Sequence, residues 1–152
     1  MIKYLILFFI VILYACSPRE DLYEQTHSLK KMEWNAGEYP EFDFLVADTS
    51  LLYNVYFVFR YHNLYEHNNV RVSITSSSPV DSTVSNTFNF NLTEKQKWKG
   101  KQINDIIEYR ARINKEPLLL HSVPYKYILQ HKMQDNPLQK VMAVGIRIEK
   151  VK

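Results

Sequence analysis

Leu52–Tyr61 reads LYNVYFVFRY. Valine, phenylalanine and tyrosine occupy both odd and even positions of this run, so neither side is written for water alone. The stretch is short, aromatic and β-branched, and it carries no helical stripe. It predicts a central β-strand covered on both faces. The segments on either side follow a simpler rule. After Pro40, Phe42, Phe44 and Val46 alternate with Asp43 and Leu45; beyond the central run, Val70, Val72 and Ile74 alternate with Arg71 and Ser73. A period of two places alternate side chains on opposite faces of a strand, one toward a core and one toward solvent.

The same pattern continues to the end of the chain. Phe88, Phe90 and Leu92 alternate with Asn89 and Asn91, and Ile107, Tyr109 and Ala111 with Glu108, Arg110 and Arg112. Tyr125, Tyr127 and Leu129 alternate with Lys126 and Gln130, and Val144, Ile146 and Ile148 with Gly145, Arg147 and Glu149. Between them, SSSPVDST at 76–83 and the segment Gln134–Lys140 around Pro137 are turns or loops by composition. Thr93–Gln102 reads as a polar loop with Trp98 as its one aromatic anchor, and 101–108 has room for a single helical turn. The run LLLHSV between Pro117 and Pro124 fits no one element. Seven or eight amphipathic strands in one domain, 34–152, predict an all-β fold: an antiparallel β-sandwich, Ig-like or jelly-roll-like, with a small barrel as the alternative. Strand order is not legible from this pattern.

The first fifteen residues are different in kind. Lys3 is their only charge, and Tyr4–Ala15 is an apolar run of about a dozen residues, short of the roughly 20 that span a bilayer. This is the anatomy of a signal peptide at 1–15. It ends on Leu13-Tyr14-Ala15-Cys16, with an aliphatic residue three before a cysteine and a small one just before it. Those are the requirements of a bacterial lipobox: a thiol to form the diacylglyceryl thioether and a small side chain at the cut. Cys16 is the only cysteine, so no intrachain disulfide is possible and acylation removes an exposed oxidisable thiol. Residues 16–33 then read as the acylated cysteine and a tether of mixed charge. Ser17 is not the aspartate that retains lipoproteins in the inner membrane, so the outer membrane is the expected location, with the periplasmic or surface face left open.

The mature chain has 137 residues, enough for one core, and loss of Lys3 takes the net charge from +3 to about +2. That balance offers no basis for a nucleic-acid partner. A search for chemistry returns little. His62 and His67 flank Glu66, but five residues apart on a strand means opposite faces, and no compact ligand motif is present, so no metal or other cofactor is assigned. Glu41 and Asp43 share one strand face without a partner pair across a cleft. No nucleophile elbow or phosphate loop appears, and no catalytic residue is assigned. Eleven tyrosines and eight phenylalanines exceed what one small core needs. Tyr61, Tyr65 and Tyr109 are therefore candidate surface aromatics, which would make the protein a glycan-binding module or a protein-docking surface; the favoured alternative is that both faces of the central strand are buried and the rings belong to the core.

The C-terminal third is more specific. Tyr125-Lys126-Tyr127-Ile128-Leu129-Gln130, then Met133, Asp135, Pro137-Leu138, Val141-Met142 and Val144–Lys150, resembles the gliding-motility lipoprotein GldH family of the Bacteroidetes, which ends in a YxFxLxQxM run and a DPLPGIxxVGLRIEK-like run. Trp34 with Pro40 and Phe42, Asp48, Tyr53-Asn54-Val55-Tyr56 and Arg60 are similar to the family's first strands, and Trp98, Gly100-Lys101 and Asp105 to its WxGKxxxD segment. His131 stands where glutamine is expected, Gln139-Lys140 replaces a Pro-Gly turn and Ala143 replaces an acid, so loop-level binding need not be shared. The resemblance implies a non-enzymatic, lipid-anchored envelope protein. Its partners would be other envelope proteins or the gliding machinery that moves adhesins. In that phylum Glu20-Asp21 resembles the acidic tract that exports some lipoproteins, and Asp81-Ser82-Thr83 fits a short O-glycosylation pattern, making Ser82 a candidate modification site.

Overall fold

The computed structural model describes residues 22–151. The signal peptide, Cys16 and the Glu20-Asp21 pair lie outside the described residues. In chain order the strands are β1 (Leu22–Ser28), β2 (Glu33–Trp34), β3 (Glu41–Leu45), β4 (Leu52–His62), β5 (Asn69–Ser77), β6 (Val84–Asn91), β7 (Thr93–Glu94), β8 (Lys97–Trp98), β9 (Lys101–Ile103), β10 (Ile106–Arg112), β11 (Leu118–Leu119), β12 (Pro124–His131), β13 (Leu138–Gln139) and β14 (Val141–Lys150). One sheet runs β1-β14-β4-β10-β9, with β11 also on β4, and the second runs β3-β12-β5-β6. All these pairs are antiparallel. The all-β antiparallel sandwich expected from the alternation is what forms.

The odd positions of β4 explain the packing. Tyr53, Val55, Phe57, Phe59 and Tyr61 are all buried and face the second sheet. Phe57 stacks on Phe90 of β6 at 5.0 Å between ring centroids, closing the gap between the layers. Val72 and Ile74 of β5, Phe42 and Phe44 of β3 and Tyr127 and Leu129 of β12 complete that side of the core. Each comes from the apolar parity of its strand, so the periodicity and the core coincide. Trp34, fully buried, closes one end of the sandwich through the short β2–β13 pair, where it lies opposite Leu138.

Three local expectations change. Most of the stretch read as tether is structure: Leu22–Ser28 is an edge strand that pairs with β14 over its whole length, from Leu22 opposite Glu149 to Ser28 opposite Ala143. It shows no period because Tyr23 is its one side chain packed against the core, and its backbone bonds to β14 hold it. Gly145 makes the approach possible, since a Cβ there would lie 2.3 Å from the Gln25 carbonyl oxygen. The loop at 93–102 contains the β7–β8 hairpin, and Trp98 anchors it on Tyr61 at 5.4 Å. Residues 101–108 form no helical turn; they are the β9–β10 hairpin, tightened by Asn104 at φ 53°. Leu118-Leu119 of the ambiguous LLLHSV run is strand β11.

Candidate functional site

The even positions of β4 point away from the core. Asn54, Tyr56, Val58 and Arg60 stand on the outer face of the six-stranded sheet. The register sets their neighbours. Arg147 of β14 lies between Glu24 of β1 and Tyr56, and Tyr56 lies opposite Arg112 of β10. Arg60 lies opposite Glu108, and Val58 between Gly145 and Arg110. Four strands thus bring arginines 60, 110, 112 and 147 together with glutamates 24, 108 and 149.

Except for Arg112, these side chains form one connected array. Glu24 accepts from Arg147 at 2.9 Å and from Arg60 at 3.1 Å, and Arg110 stands 3.8 Å away. Arg60 Nε donates to Glu108 at 2.6 Å, Arg110 pairs with the same carboxylate, and Arg147 Nε donates to Glu149 at 3.1 Å. Burial works to raise the Glu108 pKa, but the Arg60 hydrogen bond and the Arg110 charge outweigh it and hold the carboxyl below its ordinary value. Burial opposes protonated Arg147, and its bonds to Glu24 and Glu149 more than restore it. Val58 is fully buried beneath this layer although it faces outward. The central strand is therefore covered on both faces, by a second sheet on one side and by its own neighbours' charged side chains on the other. Each such pair contributes about 0–1 kcal/mol, so the array is a modest source of stability. What it provides is order: planar guanidinium groups held in fixed orientations beside a tyrosine, the residue types that dominate protein-docking surfaces. The outer face of the other sheet is different: Ser73 and Thr75 hydrogen-bond to Ser85, and the Asn69 amide donates to Asn89.

The candidate surface aromatics are not on the surface. Tyr61 is fully buried and Tyr65 is 4% exposed. Their rings meet at 5.4 Å, and Tyr61 also packs on Phe59 at 5.1 Å. Burial pushes both phenols far above their usual pKa. Tyr109 is half-buried and packs against the core beside Phe90 at 6.3 Å. The three rings make no sugar platform, because a two-layer core of this width absorbs them. That correction removes the basis for a glycan-binding module.

The polar candidates are occupied locally. His62 accepts from the Leu64 backbone at 3.1 Å, while His67 pairs with Asp135 at 2.8 Å. No group of three or more His, Cys, Asp and Glu among the described residues could hold a metal ion. Glu41 and Asp43 both face Lys126, at 2.7 and 3.6 Å. The cleft between β5, β11 and β12 has a volume of about 240 Å³ and brings in a single carboxylate, Asp81. Ser82 is exposed in the same loop.

His131 is the buried polar residue among the described core. It is 2% exposed, and its ring meets Trp34 at 5.3 Å. Neither ring nitrogen makes a well-formed hydrogen bond. Burial pushes its pKa below the ordinary 6.5; proximity to the Trp34 backbone opposes this and is outweighed. The unfolded chain therefore takes up a proton near pH 6.5 that the folded ring resists, so stability declines as pH falls through that value. His131→Leu is expected to lose less melting temperature than the parent between about pH 7.5 and about pH 5. Parallel melting curves for the two would show that His131 does not titrate this way.

Two comparisons bear on identity. The sequence profile of the GldH lipoprotein family matches residues 21–148, nearly all of the described chain. The chain belongs to the GldH lipoprotein family. Within GldH lipoproteins, it is similar to a gliding motility lipoprotein GldH homolog of Christiangramia forsetii, 24% identical over 153 residues, covering 95% of this chain and 93% of the relative. No solved structure matches the chain. The stretches behind the GldH resemblance divide by parity: Val144, Ile146 and Ile148 enter the core, while Gly145, Arg147 and Glu149 build the outer face. Sequence reading saw those charges as a solvated parity. What it lacked was strand order, which alone places residues 24, 60, 108 and 147 side by side.

Proposed function

We propose that this protein is a non-enzymatic assembly component of the cell envelope, anchored through Cys16 to the outer membrane, and that it docks another envelope protein on the charged face of its six-stranded sheet. The observation that carries this reading is the ordered Arg–Glu–Tyr array on that face. It is fixed by four strands, and its glutamates are already paired with its arginines. The motility function in the relative's name makes the machinery that moves adhesins the favoured source of the partner.

Arg110 is the exposed arginine of the array, and Arg112, also exposed, stands beside it on the same strand. Arg112 reaches only the Lys115 carbonyl, at 3.3 Å. Loss of one docking hot spot costs at least about 2 kcal/mol, or about thirtyfold in affinity. Crosslinking and pull-down from native envelopes should recover a reproducible partner. An Arg110→Ala, Arg112→Ala double variant should recover about thirtyfold less of it with an unchanged melting temperature. Reproducible recovery of the protein alone, or equal capture by the variant, would remove this face from the account.

A further inference from the structure

Exposed apolar side chains are not spread evenly over the domain. Of the eleven large ones among the described residues, seven lie at one end of the sandwich: Leu22, Leu45, Leu52, Val80, Val84, Leu118 and Leu119. The registers join them. Leu22 begins β1 opposite Glu149, and β14 runs alongside the start of β4, where Leu52 lies opposite Leu119. On the other sheet, Leu45 ends β3 opposite Pro124, and Val84 begins β6 opposite Ser76. A shallow depression of mixed lining, with Leu22, Phe44 and Leu45 beside Glu24, Gln25 and Asp43, connects the two sheets there. Two exposed carboxylates at this end are held by neighbouring hydroxyls: Asp48 accepts from Ser50 at 2.6 Å and Asp81 from Ser78 at 2.9 Å. Leu64 and Ile103, by contrast, stand at the opposite end.

The strand that begins at this end is also the one that leads back to Cys16. With β1 docked on β14, six peptide steps separate Leu22 from Cys16, and an extended chain covers at most about 20 Å in that distance. The lipid therefore leaves from within about 20 Å of the apolar rim.

We propose that this rim is a bilayer-contacting surface: the leucine and valine side chains rest in the headgroup–acyl boundary of the membrane that holds the anchor, and the sandwich stands end-on with its charged sheet face upright. The proposal rests on acylation of Cys16. A rim of scattered apolar side chains inserts only a short way and binds weakly alone. Close tethering turns that weak contact into a standing orientation, because it is made at high effective concentration.

The test uses full-length lipidated protein, purified from membranes and reconstituted into vesicles of phosphatidylethanolamine and phosphatidylglycerol. Cys16 is the only native cysteine and is consumed by lipid, so a nitroxide can be placed at Leu119→Cys, Leu45→Cys or Leu64→Cys. All three sites are more than half exposed, so substitution leaves the core alone. Oxygen concentrates in the bilayer and a nickel chelate stays in water. Labels at 119 and 45 are expected to collide several-fold more with oxygen, and several-fold less with nickel, than the label at 64. Water-like collisions at 119 and 45 in protein that floats with the vesicles would overturn the rim while leaving the anchor standing. Protein that does not float would overturn the anchor and the rim with it. Shielding from both reagents would mean that a second copy or another protein covers the rim, and would also overturn it. A glycan on Ser82 of the native protein would hold this end off the lipid and count against it directly.

Discussion

Replacing Cys16 with serine is expected to move the protein from the membrane fraction to the soluble fraction without altering the fold. The strands and the core form from residues 22–151 alone, so the thiol has no structural duty. Each buried methylene of an acyl chain contributes about 0.8 kcal/mol of membrane affinity, and more than one chain is needed for stable anchoring. A diacylglyceryl group on Cys16 meets that requirement, and the chain has no second cysteine to substitute for it. No helix among the described residues is long and apolar enough to cross a membrane. Fractionation followed by a carbonate wash should leave the parent in the pellet and the variant in the supernatant. The apolar rim gives the variant at most a contact that the wash removes. Retention of Cys16→Ser after carbonate would place the anchor elsewhere, and a lowered melting temperature would give the cysteine a structural role.

Tyr61→Ala is expected to destabilise the domain by about 3–5 kcal/mol, the range for emptying a large aromatic site. Domains of this size are stable by only about 5–15 kcal/mol, so the variant would sit close to unfolding at physiological temperature. The ring is fully buried and touches Phe59 of its own strand, Tyr65 in the loop that follows and Trp98 of the β7–β8 hairpin. Its loss removes the support for the β7–β8 hairpin as well as filling volume. The hydroxyl matters less: it donates to the Lys99 carbonyl at 3.5 Å, a long bond, so Tyr61→Phe should cost no more than about 1 kcal/mol. Urea unfolding midpoints separate the two variants. A Tyr61→Ala protein as stable as its parent would mean that the ring serves a surface after all.

The alternation of side chains is a property of single strands, so it survives in the sequence. Phe42 and Phe44, Val70 to Ile74, and Val144 to Ile148 each announce a buried face without reference to any other segment. Leu22–Ser28 announces nothing. It is a sheet-edge strand whose partner is β14, more than a hundred residues away, and its backbone bonds and the contacts of Tyr23 and Glu24 are all made with distant segments. Tyr61 and Tyr65 were misplaced for the converse reason. Composition counts rings without saying how many one core can hold, and here the stacked layers hold both.

The site divides along the same line. Lipobox spelling is local chemistry, so Cys16 is legible as an acylation candidate from Leu13 and Ala15 alone. The Arg–Glu face and the apolar rim are not. Glu24, Arg60, Glu108 and Arg147 lie far apart in the chain and become neighbours only because the strand order β1-β14-β4-β10 sets them in adjacent rows. Leu22, Leu52 and Leu119 gather at one end because those strands run antiparallel in that register. By itself the sequence determined that this protein is a β-sandwich with an acylation signal, because side-chain period and peptidase recognition are read within a few residues. Only the tertiary structure decided which distant residues share the charged sheet face and which exposed side chains gather at one end, because pairing between distant strands is a free-energy competition over the whole chain that no local pattern records.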